Sequence, residues 1–155
     1  MANAIKGSPN TIGYVELNYA LTASIPYALI KNPAGNFIEP SLNSTQEAVS
    51  SSPIAKSLPA GDQSWTSVEM LNSPGPNAYP MASFTYLLYK DRSNNPNVDQ
   101  TKAKSLVDFI SWAITGRQKF ASKLGYVPLP PIVLKHDQDT LKSLTFKGIS
   151  LYTGP

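Results

Sequence analysis

The sequence predicts an α/β fold, and three observations carry that prediction. Short runs of β-forming residues alternate with runs whose apolar positions recur at helical spacing. The stretch "YPMASFTYLLYKD" (Tyr79–Asp91) is rich in β-formers and nearly free of charge, as expected of a strand covered on both faces. The stretch "VDQTKAKSLVDFISWAIT" carries one continuous helical stripe. A length of 155 residues suits one ordinary domain with a real core.

Taken in order, "MANAIKGSPN" reads as a helix end, with Ala2 and Ile5 before the terminators Gly7 and Pro9. "TIGYV" is strand-like, and "ELNYALTA" then places Leu17, Ala20 and Leu21 at helical spacing. "IPYALIKN" is the next strand, followed by a turn at Ala34-Gly35-Asn36 and a second short strand. In "SLNSTQEAVSSS", Ser44 and Glu47 have the spacing of a capping box, so a helix is expected to start there. Ser52-Pro53 can cap and open one more short helix.

Residues 58–78 read as a long irregular connection anchored by Trp65, Val68, Met70 and Leu71. After the Tyr79–Asp91 strand, "RSNNPN" is a surface turn. Asp99 then caps the main helix, whose stripe is Ala103, Leu106, Val107, Ile110, Ala113 and Ile114. Gly116 interrupts it, and "RQKFASKL" forms a second helical segment that stops at Gly125. The Pro-x-x-Pro spacing in "LGYVPLPP" (Leu124–Pro131) is read as a stiff structural joint into a last helix, "IVLKHDQDTLKSL". "FKGISLY" closes the described pattern as a strand-like tail.

Composition narrows the functional classes. Charged residues are only 15% of the chain and the net charge is +3, which is not the balance of a disordered protein. Cysteine is absent, so there is no disulfide framework and no thiolate chemistry. No run approaches the ~18 apolar residues of a transmembrane helix. No signal peptide is visible at the N-terminus, so an export signal is expected to lie outside this chain. The basic residues are scattered rather than clustered with aromatics, which argues against nucleic acid as a partner.

No catalytic constellation emerges. The sole histidine, His136, sits in "KHDQD", but Asp137 and Asp139 fall on other helix faces, so the expected reading is a solvated polar surface. No Gly-x-Ser-x-Gly elbow supports a serine nucleophile, and neither a Walker loop nor Gly-x-Gly-x-x-Gly occurs. The carboxylates are too dispersed to name an acid–base pair. Thr115-Gly116-Arg117 resembles an anion-binding helix start, although a simple break between packed segments is commoner. Asn43-Ser44-Thr45 fits the N-glycosylation pattern and doubles as a helix cap. Trp65, Trp112 and the tyrosines are read first as core and rim residues.

Several stretches together resemble the PstS family, the extracytoplasmic phosphate-binding proteins of ABC transporters. "GSPNTIGYVELNYAL" is similar to the family's Pro-Gly-x-Ile-Gly-Tyr-Val-Glu segment, with Asn10 and Thr11 where Gly and a small residue are usual. "AGNFIEPS" resembles the hairpin that follows, and "YPMASFTYLLYKD" a strand opening on aromatic-Pro and closing on Lys-Asp. "AKSLVDFISWAITGRQKFASKLGYVPLP" resembles the last long helix, its Gly break and a Tyr-x-x-Leu-Pro joint.

The resemblance implies the C-terminal part of a two-lobed, periplasmic-binding-protein-like fold, with α/β/α lobes joined by a hinge. It implies a full-length member of about twice this length, two ordinary α/β domains. On that plan residues 1–75 belong to the second lobe, 76–90 form a hinge-crossing strand and 91–155 return to the first lobe. The implied function is binding of inorganic phosphate for ABC-type import, without catalysis or a cofactor, in the periplasm or at the cell surface. Implied partners are phosphate, the permease, and the N-terminal half of the same fold or a second copy. The alternative is a PstS-derived structural or adhesive subunit that does not bind phosphate. The family's phosphate-ligand loops have no match in this chain, so Ser8, Thr11 and Ser83 are not carried over as ligands. No catalytic or metal residue is implied either.

Overall fold

Local capping sets most of the helices in the computed structural model, which describes residues 1–154. Two short helices, α1 (Ala2–Gly7) and α2 (Leu17–Thr22), have no side-chain cap. Helix α3 (Leu42–Ser51) opens on a reciprocal box: Ser41 Oγ accepts from the Ser44 N–H at 3.1 Å, and Ser44 Oγ accepts from the Ser41 N–H at 3.0 Å. The N-cap is therefore Ser41, three residues before the expected Ser44. A hydroxyl at the N3 position performs the return bond that Glu usually makes. A 3-10 turn at Pro53–Ala55 follows, with the Ile54 N–H donating to Ser52 Oγ.

Helix α4 (Gln100–Gly116) is capped as expected, with Asp99 Oδ1 accepting from the Lys102 N–H at 2.8 Å. Two 3-10 turns, Gln118–Phe120 and Ser122–Leu124, replace the single helical segment expected after Gly116. They end at Gly125, whose φ of 80° is left-handed and suits a residue without Cβ. Helix α5 (Pro131–Ser143) starts with Pro131 in its first turn, where the missing N–H costs no helical bond.

Extended structure is confined to two short antiparallel hairpins, β1 (Ile30–Lys31) with β2 (Phe37–Ile38), and β3 (Thr145–Phe146) with β4 (Ile149–Ser150). The expected strand over Tyr79–Asp91 is not formed, nor is the one in "TIGYV". Among the described residues no backbone hydrogen bond joins Thr85–Lys90 to another segment. A β-former run becomes a strand only when a neighbour takes up its N–H and C=O groups. Leu87 is 72% exposed and Leu88 97%, so the expected double-sided cover is also absent.

The residues cluster into two compact units, and the chain passes between them at 55/56, 68/69, 83/84, 120/121 and 127/128. The first comprises residues 1–55, 69–83 and 121–127. Its buried apolar set is light, with Ala20, Ala48, Val49, Ile54, Met70, Ala78 and Ala82, and buried Asn32, Ser44, Ser52 and Ser73 lie among them. Met70 is the anchor there, whereas Leu71 is half exposed.

The second unit comprises residues 56–68, 84–120 and 128 onward; Pro155 lies outside the described residues. Helix α4 packs on α5, and Ala103, Val107, Leu141, Phe146 and Leu151 form its core. The expected stripe is kept at Ala103 and Val107, with Ile110 and Ile114 packed at its edge, while Leu106 points outward.

Candidate functional site

The sequence-selected side chains fall at separate places, and the geometry decides what each can do. In the second unit, α5 and the 58–62 loop flank a cavity of about 720 Å³ that Tyr89, Asp91, His136, Asp139, Thr140 and Ser143 help to line. The loop sits close to the helix because Gly61 has no side chain: a Cβ there would fall 2.3 Å from Thr140 Cγ2. Trp65 donates its indole N–H to the Ala60 carbonyl at 3.1 Å and meets the His136 ring edge-to-face, 5.2 Å between centroids.

His136 is consequently half-buried rather than solvated, which corrects the expectation from its polar neighbours. Among the described residues its buried Nε2 meets no hydrogen-bond partner, and neither does the Tyr89 hydroxyl. Nothing resembling a nucleophile–base pair is built on it, since a general base must reach the proton it takes. Asp139 is committed elsewhere: Lys135 and Lys142 both donate to it, and those bonds hold its carboxyl below the usual range. Among the described residues no group of His, Asp and Glu is placed to hold a metal ion.

Asp137 behaves oppositely. Burial raises its pKa above the ordinary 3.8, and neighbouring His136 offsets that only partly. A carboxyl group with a raised folded pKa binds its proton more tightly in the folded state than in the unfolded one. Its contribution to stability is therefore lost as pH climbs from the unfolded value through the higher folded value. Asp137→Asn is expected to raise Tm at about pH 7 and leave it unchanged near pH 3. Thermal scans at the two pH values check this, and an equal shift at both would refute it.

Arg117 is the C-cap of α4, as expected of a break between packed segments, with only a 3-10 turn directly after it. The helix presents carbonyl groups there, the negative end of its dipole, so the anion-binding reading fails for backbone reasons. The guanidinium instead lies over the Trp112 ring, 4.5 Å from its centroid. In the first unit, Thr11 Oγ1 donates to the Ser8 carbonyl at 2.7 Å and closes the loop after α1. Asn43 is exposed on the first turn of α3, while Ser44 Oγ is occupied by the Glu39 carbonyl and the cap.

The Pro-x-x-Pro stretch acts as a joint. Within the first unit Gly125 packs on Asn18, and the Tyr126 hydroxyl donates to the Glu16 carboxylate at 3.2 Å. Within the second, the Leu129 N–H donates to Gln118 Oε1 at 2.7 Å before Pro131 enters α5. No helix is long and apolar enough among the described residues to cross a membrane.

The feature that the sequence did not reveal is Asn32, which is 5% exposed. Its side-chain amide donates to the carbonyls of Gly75, Pro76 and Ala78 at 3.0–3.2 Å, and its Oδ1 accepts from the Asn36 N–H. The signal available was the Asn-Pro dipeptide before Ala34-Gly35-Asn36, a turn-initiating pair.

Comparison with known proteins follows the sequence resemblance. No family model matches. The chain is 36% identical over 134 residues to "Phosphate-binding protein PstS" of Methanocaldococcus jannaschii, covering 84% of this chain and 34% of that protein. A protein of the same name from Haemophilus influenzae is 29% identical over 92% of this chain and 39% of its own length. A protein named as a serine/threonine-protein kinase/receptor in Acanthamoeba polyphaga mimivirus is 27% identical over 90% of this chain, but only 8% of its own length is matched. The chain thus spans about a third of the length of the phosphate-binding relatives, a smaller share than the half expected.

Proposed function

We propose that this chain, a PstS-like segment matching part of a larger phosphate-binding protein, serves extracytoplasmic phosphate import as scaffold and hinge rather than as a complete phosphate site. The observation that carries this reading is the similarity to several proteins named PstS over 84–92% of the chain. The complete protein binds and does not catalyse. A dianion is held between lobes by backbone N–H groups, hydroxyls and an Arg, with helix N-termini adding a favourable field. A carboxylate acceptor selects protonated phosphate over sulfate, which has no proton to donate. Lobe closure then presents the loaded form to an ABC permease in the periplasm or at the cell surface.

Two compact units joined by repeated passages of chain support a two-lobed plan. In that plan 1–75 belong to one lobe, 76–90 cross the hinge and 91–155 return to the other; the placement of 56–68 in the second unit departs from so simple a division. The open backbone of Thr85–Lys90 and the exposed Leu87 and Leu88 support a partner strand from the N-terminal part of the same fold, or from a second copy. No residue of this chain is assigned as a phosphate ligand.

Isothermal calorimetry on the 155-residue chain is the test. Phosphate is expected to give no saturable heat, and tight one-to-one binding would overturn the scaffold reading. A second reading, a structural or adhesive extracellular module without phosphate, is favoured by the mimivirus match, where a similar segment is a small part of a differently named protein. Light scattering that found an ordered multimer of this chain alone would support it.

A further inference from the structure

The end of α4 in the second unit carries an exposed cluster that the phosphate reading does not use. Phe109 and Trp112 stack with ring centroids 5.8 Å apart and planes 28° from parallel. The Arg117 guanidinium lies 4.5 Å from the Trp112 centroid and 5.9 Å from that of Phe120, and Lys119 Nζ lies 5.4 Å from Phe120. All three rings are exposed, Phe109 by 61%. Among the described residues neither Arg117 nor Lys119 has a carboxylate partner. Asp108, one turn before Trp112, is already bonded to Lys104 at 2.6 Å.

We propose that this cluster is a docking surface for a partner protein that presents a carboxylate among apolar side chains. A guanidinium held beside aromatic rings rather than by a carboxylate keeps N–H donors that a partner's carboxylate can take in bidentate geometry. The rings supply apolar area next to that fork, and Trp with Arg is the composition that dominates binding energy at protein interfaces. Capping the α4 carbonyls explains a cation at position 117. It does not explain two exposed rings beside that cation with a third stacked on one of them, or a second cation at Lys119 that, among the described residues, also lacks a carboxylate. The local charge is positive, so the complementary surface is acidic. Two basic residues without a longer basic stripe do not make a track for nucleic acid.

The test uses the whole chain labelled with 5-fluorotryptophan, with the Trp112 resonance assigned through Trp112→Phe. Two probe peptides share a leucine frame, one bearing glutamates and the other lysines at the polar positions. The glutamate peptide is expected to shift the Trp112 resonance saturably and more weakly as salt rises, leaving Trp65 in place. Arg117→Glu is expected to weaken that binding about tenfold or more and to admit the lysine peptide. Arg117→Lys, which keeps the charge and loses the planar fork, is expected to fall between the two and guards against a folding defect. Equal response to both peptides, no saturable response to glutamate, or an unchanged affinity in Arg117→Glu would overturn the proposal. A concentration-dependent Trp112 shift without peptide would assign the face to a second copy and overturn it too. Phosphate calorimetry is independent of every one of these outcomes.

Discussion

Leu151→Ala is expected to destabilise the second unit by about 2–5 kcal/mol, the range for truncating a buried leucine that leaves a cavity. Leu151 is fully buried and is one of the two largest side chains with essentially no exposure. It stands in the core with Ala103, Val107, Leu141 and Phe146, so its neighbours come from α4, α5 and the β3–β4 hairpin together. Its N–H donates to the Leu144 carbonyl at 3.0 Å, which fixes the backbone on which the side chain hangs. Because the chain is held at that point, little collapse into the cavity is available, and the upper part of the range is expected. In thermal melts the shift is roughly 10 °C for a domain of this size. Leu151→Met, nearly equal in volume, is expected to cost about 1 kcal/mol or less. A Leu151→Ala protein melting within a degree or two of the parent would show that this core does not carry the unit's stability.

The helices were legible because their causes are local. Asp99 before the α4 stripe, Pro131 at the start of α5 and Gly125 at the end of the last 3-10 turn each act within a few residues. Even the error at α3 was local: two serines three apart form the box, so a rule that looks for Glu at N3 selects the wrong serine as cap. The two hairpins, each closed by a local turn, were legible as well, but the longer strands were not. β-propensity describes how well a residue fits a paired, half-buried surface, and it does not supply the pair. Tyr79–Asp91 has the composition of a central strand, yet the described residues offer its Thr85–Lys90 backbone no neighbour.

The same distinction governs the candidate sites. His136 looked solvated because its sequence neighbours are Lys, Asp and Gln, while the residue that encloses it, Trp65, is far away in sequence. Thr115-Gly116-Arg117 allowed both a helix break, the commoner reading, and an anion-binding helix start, and the direction of the flanking helix, which presents C=O rather than N–H groups, decides for the break. Motif order along the chain carried the resemblance to PstS where no single residue did, and proteins named PstS are similar over 84–92% of the chain. Short peptides of sequence report caps; a set of spaced motifs reports ancestry; neither reports long-range polar contacts such as that of Asn32.

That contact carries the second large expected effect. Asn32→Ala is expected to destabilise the first unit by about 2–3 kcal/mol, since it leaves the Ala78 carbonyl and the Asn36 N–H without the partner they have here. The unit has a light apolar core in which Ile54 and Met70 are the bulkiest side chains, so polar contacts hold a larger share of it than usual. The two N–H groups of one side-chain amide are shared among the carbonyls of Gly75, Pro76 and Ala78, and its oxygen takes the Asn36 N–H, joining the β1–β2 turn to the 75–78 segment. Asn36 reinforces the tie through its own amide to the Pro76 carbonyl at 3.0 Å. Asn32→Asp is the sharper test because it keeps size and shape. The aspartate retains the oxygen that Asn36 needs but sets a second oxygen against three carbonyls, so it is expected to cost at least as much as alanine at about pH 7. The penalty should ease as pH falls and the carboxylate takes a proton that can be donated to one carbonyl. Chemical denaturation of the parent and both variants at about pH 4 and pH 7 reads this directly. An Asn32→Asp protein as stable as the parent at neutral pH would mean that the Ala78 carbonyl finds another donor, as Gly75 already has in the Ala78 N–H and Pro76 in the Asn36 amide, and that the turn does not depend on Asn32.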